Sequence, residues 1–176
     1  MGEKMKISKQ LNIVRIIIII LICIMGVFSF IAVERVWHNA ETFHQHPFIT
    51  RGSLDKIESD TLNARLFMEE VVFKNDKSSI KSNTATIDEY EADIQKQIDI
   101  LKNSYLGPKK DLENLKDTVS DYYNIRIETL KLLEAGEQSV AIKRVRFDGI
   151  FGKQSDKTIA KINIMDNFAN AKAQEL

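Results

Sequence analysis

Eighteen consecutive residues without a charge, Ile16 to Val33, constrain the fold of this chain more than any other feature. An α-helix rises about 1.5 Å per residue, so this run would extend about 27 Å, close to the roughly 30 Å hydrocarbon core of a bilayer. A helix with one face in water would need charged or polar residues at regular intervals. The run therefore predicts a transmembrane helix, and all later residues are expected on one side of the membrane.

The charges beside the run predict its orientation. Glu34 follows the run directly, whereas four basic residues precede it: Lys4, Lys6, Lys9 and Arg15. Basic residues near a span are retained on the cytoplasmic side. We therefore expect a cytoplasmic N-terminus and an extracytoplasmic C-terminal domain, attached to an inner or plasma membrane.

The chain then has three predicted parts: a cytoplasmic leader of residues 1–15, a transmembrane helix of residues 16–33 and an extracytoplasmic domain of residues 34–176. A cleavable signal peptide is the competing interpretation, because it also has a basic segment before an apolar run. The run is longer than a usual secretory core, and no A-x-A cleavage site follows it. Trp37 and Phe43 just beyond it also favour an anchor, since aromatic rings prefer the membrane interface.

Composition limits what the exported domain can be. About 143 residues suit one domain. The whole chain has 25 basic and 25 acidic residues, and removing the leader's four cations and Glu3 leaves a small acidic excess, which argues against a nucleic-acid partner. The single cysteine, Cys23, lies in the apolar run, so no disulfide can form within the domain. Packing alone must stabilise it.

The spacing of apolar residues predicts an all-α fold, an antiparallel up-down four-helix bundle behind the anchor. Two prolines and seven glycines leave few interruptions, and no sustained period-two alternation occurs. Four series with steps of three and four residues each predict one helix. Their members are Leu54, Ile57, Thr61, Ala64, Met68 and Val71; Ile87, Tyr90, Ile94, Gln97 and Leu101; Leu112, Leu115, Val119, Tyr122, Arg126, Thr129 and Leu133; Val140, Val145, Phe151, Ile159, Ile162, Met165 and Ala169.

Polar and special residues predict where these helices begin and end. The polar segment from Lys74 to Thr84 predicts a loop between the first two helices. Thr86 followed by Glu89 predicts a capping box that starts the second helix. Pro108 is expected in the first turn of the third helix, and Gly136 at its end.

Two places predict kinks. Pro47 disfavours helical backbone at His46, so a kink or turn is expected there. Gly149 and Gly152 interrupt the fourth series, which predicts a loosened turn.

Two segments resemble the sensor regions of methyl-accepting chemotaxis receptors and of related histidine kinases and diguanylate cyclases. FHQHPFITRGSL, from Phe43 to Leu54, is similar to the HPF-type segment that many of these sensors carry after their first membrane helix. IMDNFANAKAQEL, from Ile164 to Leu176, is similar to the end of their fourth helix. The resemblance implies a homodimeric receptor module that binds a small molecule or a protein and transmits a displacement of its fourth helix across the membrane.

The receptors that this chain resembles continue from the fourth helix into a second membrane span and a cytoplasmic output domain. We therefore expect this chain to be the input half of a receptor, with a free-standing single-span protein as the alternative. Two functions remain open: a ligand-sensing module of a transmembrane signalling protein, or a membrane-tethered bundle that binds or regulates a partner receptor.

Arg126 is the most unusual residue of the predicted core, because it places a permanent cation in the third series. Thr61, Gln97 and Thr129 are polar members of their own series. Together the four could form a polar layer, which is either a structural network that fixes helix register or a ligand pocket. The structural network is the preferred interpretation.

Three further arginines are candidates for binding an anionic ligand together with Arg126: Arg65, Arg144 and Arg146. A guanidinium group binds a carboxylate through two parallel hydrogen bonds. The ordinary interpretation of each is a solvated surface charge.

No metal, cofactor or catalytic site is expected. His38, His44 and His46 lie close in sequence, but positions 44 and 46 of a helix point apart and no cysteine or carboxylate cluster completes a metal site. The sequence has no glycine-rich phosphate loop, nucleophile elbow or pairing of serine or cysteine with histidine in the exported domain. We therefore expect a protein that is not an enzyme.

Overall fold

The computed structural model describes residues 7–175, and within that range it contains helices and no β-strand. It divides into two units, one ending at Thr42 and the other beginning at Phe43. The predicted all-α fold is confirmed. Each unit is described separately below.

The first unit consists of a long apolar helix. Helix α1, Ile7–Phe43, has 37 residues. Its segment Leu11–Trp37 is 27 residues long, none of it is buried within the structure, and it is long and apolar enough to cross a membrane. A signal sequence near an N-terminus passes the same test of length and apolarity. The predicted span of residues 16–33 lies inside this segment.

The second unit is a four-helix bundle that follows a short π-helical turn. Three members of the bundle are single helices, and the fourth is interrupted. The elements are the π-helical turn His44–Phe48, then α2 Ile49–Lys74, α3 Lys77–Ser104, α4 Lys109–Glu134, α5 Gln138–Val145 and α6 Ile150–Glu175. Helices α5 and α6 together form the fourth member, as the predicted up-down bundle requires.

The π-helical turn contains Pro47. Proline has no backbone N–H and its ring clashes with the preceding turn, so a regular α-helix cannot continue through it. A wider π-helical turn is one way to accommodate the missing bond. The predicted interruption at His46 and Pro47 is therefore present, as a π-helical turn.

The predicted loop from Lys74 to Thr84 is wrong. Only two residues connect α2 and α3, because Asn75 adopts a left-handed conformation with φ of 47° and its N–H donates to the carbonyl of Val71. Asparagine tolerates this conformation, which ends a helix in one residue. Helix α3 thus begins at Lys77, well before the expected start.

The predicted capping box is wrong for the same reason. Thr86 lies inside α3, and its hydroxyl donates to the carbonyl of Ser82 within the same helix. Serine and threonine make this bond in helix interiors as readily as they cap a helix start. The sequence pattern alone did not separate the two roles.

The buried stripes of α2 and α4 agree with the predicted series. All six predicted residues of α2 are buried. In α4, six of the seven predicted residues are buried, and Leu112 is half-buried at the first turn. Regular steps of three and four residues were sufficient to identify these faces.

The stripes of α3 and of the fourth member differ from prediction by one residue at three places. In α3, Ile98 is buried and Gln97 is half-buried; in α5, Ala141 is buried and Val140 is 41% exposed; in α6, Thr158 is buried and Ile159 is half-buried. The buried face of a helix spans more than 100°, so two neighbouring positions can compete for it. In each pair the apolar or smaller side chain faces the core.

Glycine residues end α4 and separate α5 from α6. Gly136 has φ of 80°, the left-handed conformation expected after a helix C-terminus. An added Cβ at Gly149 would lie 2.3 Å from the carbonyl oxygen of Lys143 and 2.4 Å from that of Arg144. The chain can therefore fold back on α5 only without a side chain at this position. The predicted interruption of the fourth helix is confirmed.

The core has two clusters of buried hydrophobic residues, which we name by their composition. The aromatic cluster contains Ala64, Met68, Val71, Val72, Ile87, Tyr122, Leu133, Ala141, Val145 and Phe151. The aliphatic cluster contains Leu54, Ile57, Ile94, Ile98, Leu101, Leu115, Val119, Ile162 and Met165. Tyr123 packs against both clusters and joins them.

Candidate functional site

Buried polar side chains are concentrated where the two clusters meet. They come from α2, α4 and α6. Those of α2 and α6 lie between the residues of the two clusters, and Arg126 lies on α4 one turn beyond Tyr122, in the stretch that belongs to the aromatic cluster. The members are Asp60, Thr61, Arg126, Gln154, Ser155 and Thr158, all less than 9% exposed. We call them the polar belt. Because buried polar groups need partners, this belt is the part of the bundle whose chemistry departs most from simple packing.

Arg126 makes two ion pairs across the α3–α4 interface. Its Nη1 donates to Oδ1 of Asp88 at 2.8 Å, and its Nε lies 2.8 Å from Oε1 of Glu91. The second contact is a close charge contact whose atoms are not aligned as a hydrogen bond. The guanidinium is 9% exposed, so α4 positions a nearly buried cation against two carboxylates of α3.

Glu91 is the less well solvated of these two carboxylates. Its side chain is 14% exposed, whereas that of Asp88 is 59% exposed. Burial raises the pKa of Glu91 to about 7, because the loss of hydration outweighs the attraction of Arg126, and the charge of Asp88 adds to the increase. Glu91 can therefore change its charge near neutral pH.

A second group of charges links α2 and α3. Asp60 is buried, and it accepts a hydrogen bond from Nζ of Lys56 at 2.7 Å. The same ammonium lies 3.2 Å from Oδ2 of Asp93. Burial raises the pKa of Asp60, opposed by the bond to Lys56, and the contact with Asp93 raises it further. Asp60 follows Ile57 by three residues, which is the signal that could have assigned it to the buried face.

The predicted layer of Arg126, Thr61, Gln97 and Thr129 does not form as a connected network. The Thr61 hydroxyl donates to a carbonyl of its own helix, and Gln97 donates to Asp93 on the same helix. The Thr129 hydroxyl likewise donates within α4. Among the described residues, no hydrogen bond or ion pair joins any two of the four. A threonine hydroxyl can donate to a backbone carbonyl of its own helix, so a threonine in a stripe does not imply a hydrogen-bond partner across the bundle.

Tyr122 connects the belt to the aromatic cluster. Its hydroxyl donates to the carbonyl of Thr61 at 3.2 Å, and its ring centroid lies 4.5 Å from that of Phe151. Burial raises the pKa of Tyr122 well above its ordinary value, with a further contribution from the Glu91 charge. The phenol is therefore a neutral donor at physiological pH.

Helix α6 contributes three polar residues that the sequence series did not include. Gln154 donates to the carbonyl of Thr118 on α4 at 2.9 Å, and Thr158 donates to the carbonyl of Gln154. The buried hydroxyl of Ser155 has no partner within the described residues. The predicted apolar series has no member between Phe151 and Ile159, and this gap was the sequence signal for polar residues on the buried face of α6.

The structure places the four predicted ligand-binding arginines in different surroundings. Arg126 belongs to the belt. Arg65 pairs with Glu69 at 3.1 Å and its guanidinium lies 5.2 Å from the ring centroid of Phe147. These two arginines lie within reach of the same tyrosine, Tyr122, whose ionisation both influence.

The other two predicted arginines belong to α5 and to its connection with α6. Arg144 donates to Oε2 of Glu128 at 2.6 Å and to the hydroxyl of Thr129 at 3.0 Å. Arg146 is 64% exposed and lies 3.5 Å from Asp148. Each of the four predicted arginines thus has a carboxylate of the chain as its partner. An incoming anion would have to replace one of these carboxylates.

A small cavity lies at the end of the bundle that carries the π-helical turn. It has a volume of about 10 Å³, and its lining includes His46, Thr50, Ser104 and Phe168. The buried hydroxyl of Thr50 has no hydrogen-bond partner within the described residues. A volume of this size accommodates one water molecule and no larger ligand.

The predicted histidine group is only partly described. The side chains of His38 and His44 lie outside the described residues. Nδ1 of His46 lies 3.3 Å from the carbonyl oxygen of Ser104, which ties the π-helical turn to the end of α3. No group of three or more histidine, cysteine, aspartate or glutamate residues that could hold a metal ion occurs among the residues searched, which are the described ones.

Comparison with known proteins identifies one family. The family model described as a four helix bundle sensory module for signal transduction matches residues 4–176. No curated protein and no solved structure matches the chain. The match covers nearly the whole sequence, including α1 and every helix of the bundle.

Proposed function

Since the chain belongs to the four-helix-bundle sensory modules for signal transduction, we propose that its bundle is the extracytoplasmic, ligand-sensing part of a transmembrane receptor. The family match over residues 4–176 carries this proposal. Helix α1, which has the length and composition of a membrane span, supports attachment to a membrane. In this proposal the module transmits the state of a bound ligand, and the chain is not itself an enzyme.

The proposed orientation follows from the basic leader. Four cations precede the apolar run and Glu34 follows it, which favours a cytoplasmic N-terminus. Because Cys23 is the single cysteine, a Cys23→Ser variant offers a background for labelling. A cysteine at exposed Lys109 should react in intact cells with a maleimide that cannot cross membranes, whereas one at Lys6 should react only after lysis. The reverse pattern would contradict the orientation.

The proposed mechanism is a small displacement of α6 relative to α2. These helices are connected by an ion pair of Arg51 with Asp166 at 3.0 Å, and their belt residues lie between the two clusters. A stimulus that changes contacts in the belt would favour one of two arrangements of α6. Helix shifts of about 1–2 Å are typical of such transitions.

A ligand would have to compete with the carboxylates that hold the predicted arginines. Arg65 and Arg144 are paired with Glu69 and Glu128, and the second of these carboxylates is 64% exposed. We propose that an anionic ligand would bind Arg65, Arg126, Arg144 or Arg146 by replacing such a partner. The effects of Arg126→Gln and Arg146→Gln on the affinity for an anionic ligand can be compared, because the first substitution removes a buried cation and the second an exposed one.

The proposed homodimer has a candidate surface on α2. Leu62, Leu66 and Phe73 are 39%, 61% and 56% exposed, and their spacing of four and seven residues places them on one stripe. Two copies anchored in the same membrane have parallel α2 helices, which is the arrangement that a seven-residue apolar repeat favours. A second copy is therefore the occupant we propose, with an interface related by two-fold symmetry.

Cross-linking tests this dimer. In the Cys23→Ser background, Leu66→Cys should give an oxidised dimer in membranes, because a stripe on a two-fold axis brings equal positions together. Lys96→Cys, an exposed position on α3, should remain monomeric. Equal cross-linking of both variants would contradict the α2 interface.

The exposed stripe on α2 also fits the second candidate function, a tethered bundle that binds a partner receptor. The two functions differ in what a small molecule does to the bundle. For a sensor, thermal unfolding of the full chain in nanodiscs should shift upward with the concentration of a bound compound. A chain whose stability responds only to a partner protein, and to none of a broad set of metabolites, would favour the tethered bundle.

A further inference from the structure

Glu91 is a half-buried acid whose charge is weakly compensated. Its Oε1 atom is buried and has no aligned hydrogen-bond donor. Within residues 7–175 its ion pair is with Arg126, and that guanidinium also binds Asp88. A carboxylate removed from water needs several donors to remain charged, and Glu91 has one shared cation.

We propose that Glu91 is a protonation switch between α3 and α4, and that hydrogen ion is a stimulus of this module. The inference rests on the proposed sensory function and deepens it by naming a stimulus. When Glu91 is charged, Arg126 binds a buried and an exposed carboxylate of α3 together. When Glu91 is protonated, Arg126 retains only Asp88, which is 59% exposed, and the ion pair between the buried Nε and Oε1 atoms is lost.

The groups around Glu91 on its own helix and on α4 determine how it titrates. On α4, Arg126 favours the charged form, while Tyr123 donates to the backbone carbonyl of Glu91 at 3.1 Å and leaves the carboxylate unbound. On α3, Asp88 opposes the charge. Burial is the largest influence, and together these effects raise the pKa to about 7.

The charges on the other elements packed against α3 have partners of their own. On α2, Arg65 binds Glu69, and Lys56 binds Asp60. The π-helical turn contacts the opposite end of α3 through His46. Glu91 therefore titrates mainly against the α3–α4 pair that we propose it controls.

Carboxyl-carbon NMR of the full chain in nanodiscs tests the titration directly. The Glu91 resonance, identified by its absence from Glu91→Gln, should show a midpoint near 7. A midpoint near the ordinary glutamate value of about 4.3 would overturn the proposal. Asp88→Asn, at an exposed position, should lower the midpoint because it removes an opposing charge; an unchanged midpoint would count against the proposed electrostatics even if Glu91→Gln does not fold.

Spin labels test whether protonation moves the helices. With Cys23→Ser and labels at Lys81→Cys and Lys131→Cys, the α3–α4 distance should change by about 1–2 Å between about pH 5 and pH 8. Glu91→Gln should abolish the change. Glu89→Gln, an exposed glutamate two residues away on the same helix, should preserve it. A constant distance in the unsubstituted chain, or a change that persists in Glu91→Gln, would refute the switch.

These outcomes are separable from those of the proposed function. If the bundle labels from outside the cell and Glu91 titrates near its ordinary value, the sensor remains and the proton switch fails. If Glu91 titrates near 7 but Lys109→Cys is labelled only after lysis, the switch remains and the extracytoplasmic placement fails.

Discussion

The two core clusters of the bundle differ in the chemistry of their side chains and in the continuity of their helices. The aliphatic cluster is built from leucine, isoleucine, valine and methionine on α2, α3, α4 and α6. The aromatic cluster contains Tyr122 packed on Phe151, and its fourth member is broken between α5 and α6. Aliphatic side chains need only complementary shape, whereas a tyrosine also needs a partner for its hydroxyl. One half of the bundle is thus uniform, and the other depends on specific contacts.

The difference suggests a division of roles within a sensory module. The aliphatic cluster keeps the helices in a fixed register. The other half holds the helix break and Arg126 with its two ion pairs, one of them to Glu91, whose pKa burial raises to about 7. We therefore expect changes in ligand or protonation to act where the packing is least uniform.

The largest effect is expected for a truncation in the aliphatic cluster. Ile162 is 2% exposed, and Ile162→Ala should reduce the free energy of unfolding by about 2–5 kcal/mol through lost burial and a cavity. Urea unfolding of the full chain in detergent micelles, followed by circular dichroism, measures the change. Ile164 on the same helix is 50% exposed, so Ile164→Ala is the matched control, expected within about 0.5 kcal/mol of the unsubstituted chain. Similar losses for both variants would contradict the assigned core face.

The helix break beside the aromatic cluster should tolerate no side chain at Gly149. Gly149→Ala would place a Cβ atom 2.3 Å from a backbone carbonyl, so the connection must shift, at a cost of about 1–3 kcal/mol of unfolding free energy. Gly52→Ala is the control, because Gly52 lies in the first turn of α2 and an added Cβ there meets nothing within 4 Å. That variant should be stabilised by about 0.5–1 kcal/mol. Stabilisation by both alanines would show that the break is not required.

The sequence predicted the buried faces of the helices better than it predicted their ends. The six-residue series of α2 and most of that of α4 were correct, because regular steps of three and four residues define a buried face. The start of α3 was misplaced because Asn75 ends α2 through its own backbone conformation, which polarity of the following residues does not reveal. Local backbone geometry, more than composition, decided that boundary.

Only part of the candidate site was predicted, because contacts between helices cannot be derived from the pattern within one helix. Arg126 was identified from its place in a series, but its partners Asp88 and Glu91 were not, because pairing across α3 and α4 depends on the register between two helices. Asp60 was missed because it lies beside the apolar series of α2. Ser155 and Thr158 lie within the stripe of α6, four and seven residues after Phe151, and were missed because they are not apolar. A single stripe per helix describes a coiled-coil seam and is narrower than the interface that this bundle buries.

The pH dependence of stability should identify Glu91 as the titrating partner of Arg126. Its pKa is about 7 in the folded chain and about 4.3 when unfolded, so the folded state binds the proton more tightly. The resulting stabilisation is complete below about pH 4 and is lost as the pH rises through 7. Over this pH range the free energy of unfolding of the unsubstituted chain, relative to that of Glu91→Gln, should fall by on the order of 1–3 kcal/mol. A difference independent of pH, measured by urea unfolding at several pH values, would contradict this assignment.

The smallest effect separates packing from hydrogen bonding within the aromatic cluster. Tyr122→Phe keeps the ring against Phe151 but removes the hydroxyl that donates to the carbonyl of Thr61, so it should lower the free energy of unfolding by about 0.5–1.5 kcal/mol. Tyr123→Phe removes a similar bond to a backbone carbonyl from a half-buried ring, where water can replace the donor, and its loss should be smaller. Equal losses would mean that burial of the hydroxyl does not decide its contribution. A stabilised Tyr122→Phe would mean that the aromatic cluster, like the aliphatic one, is held by shape alone.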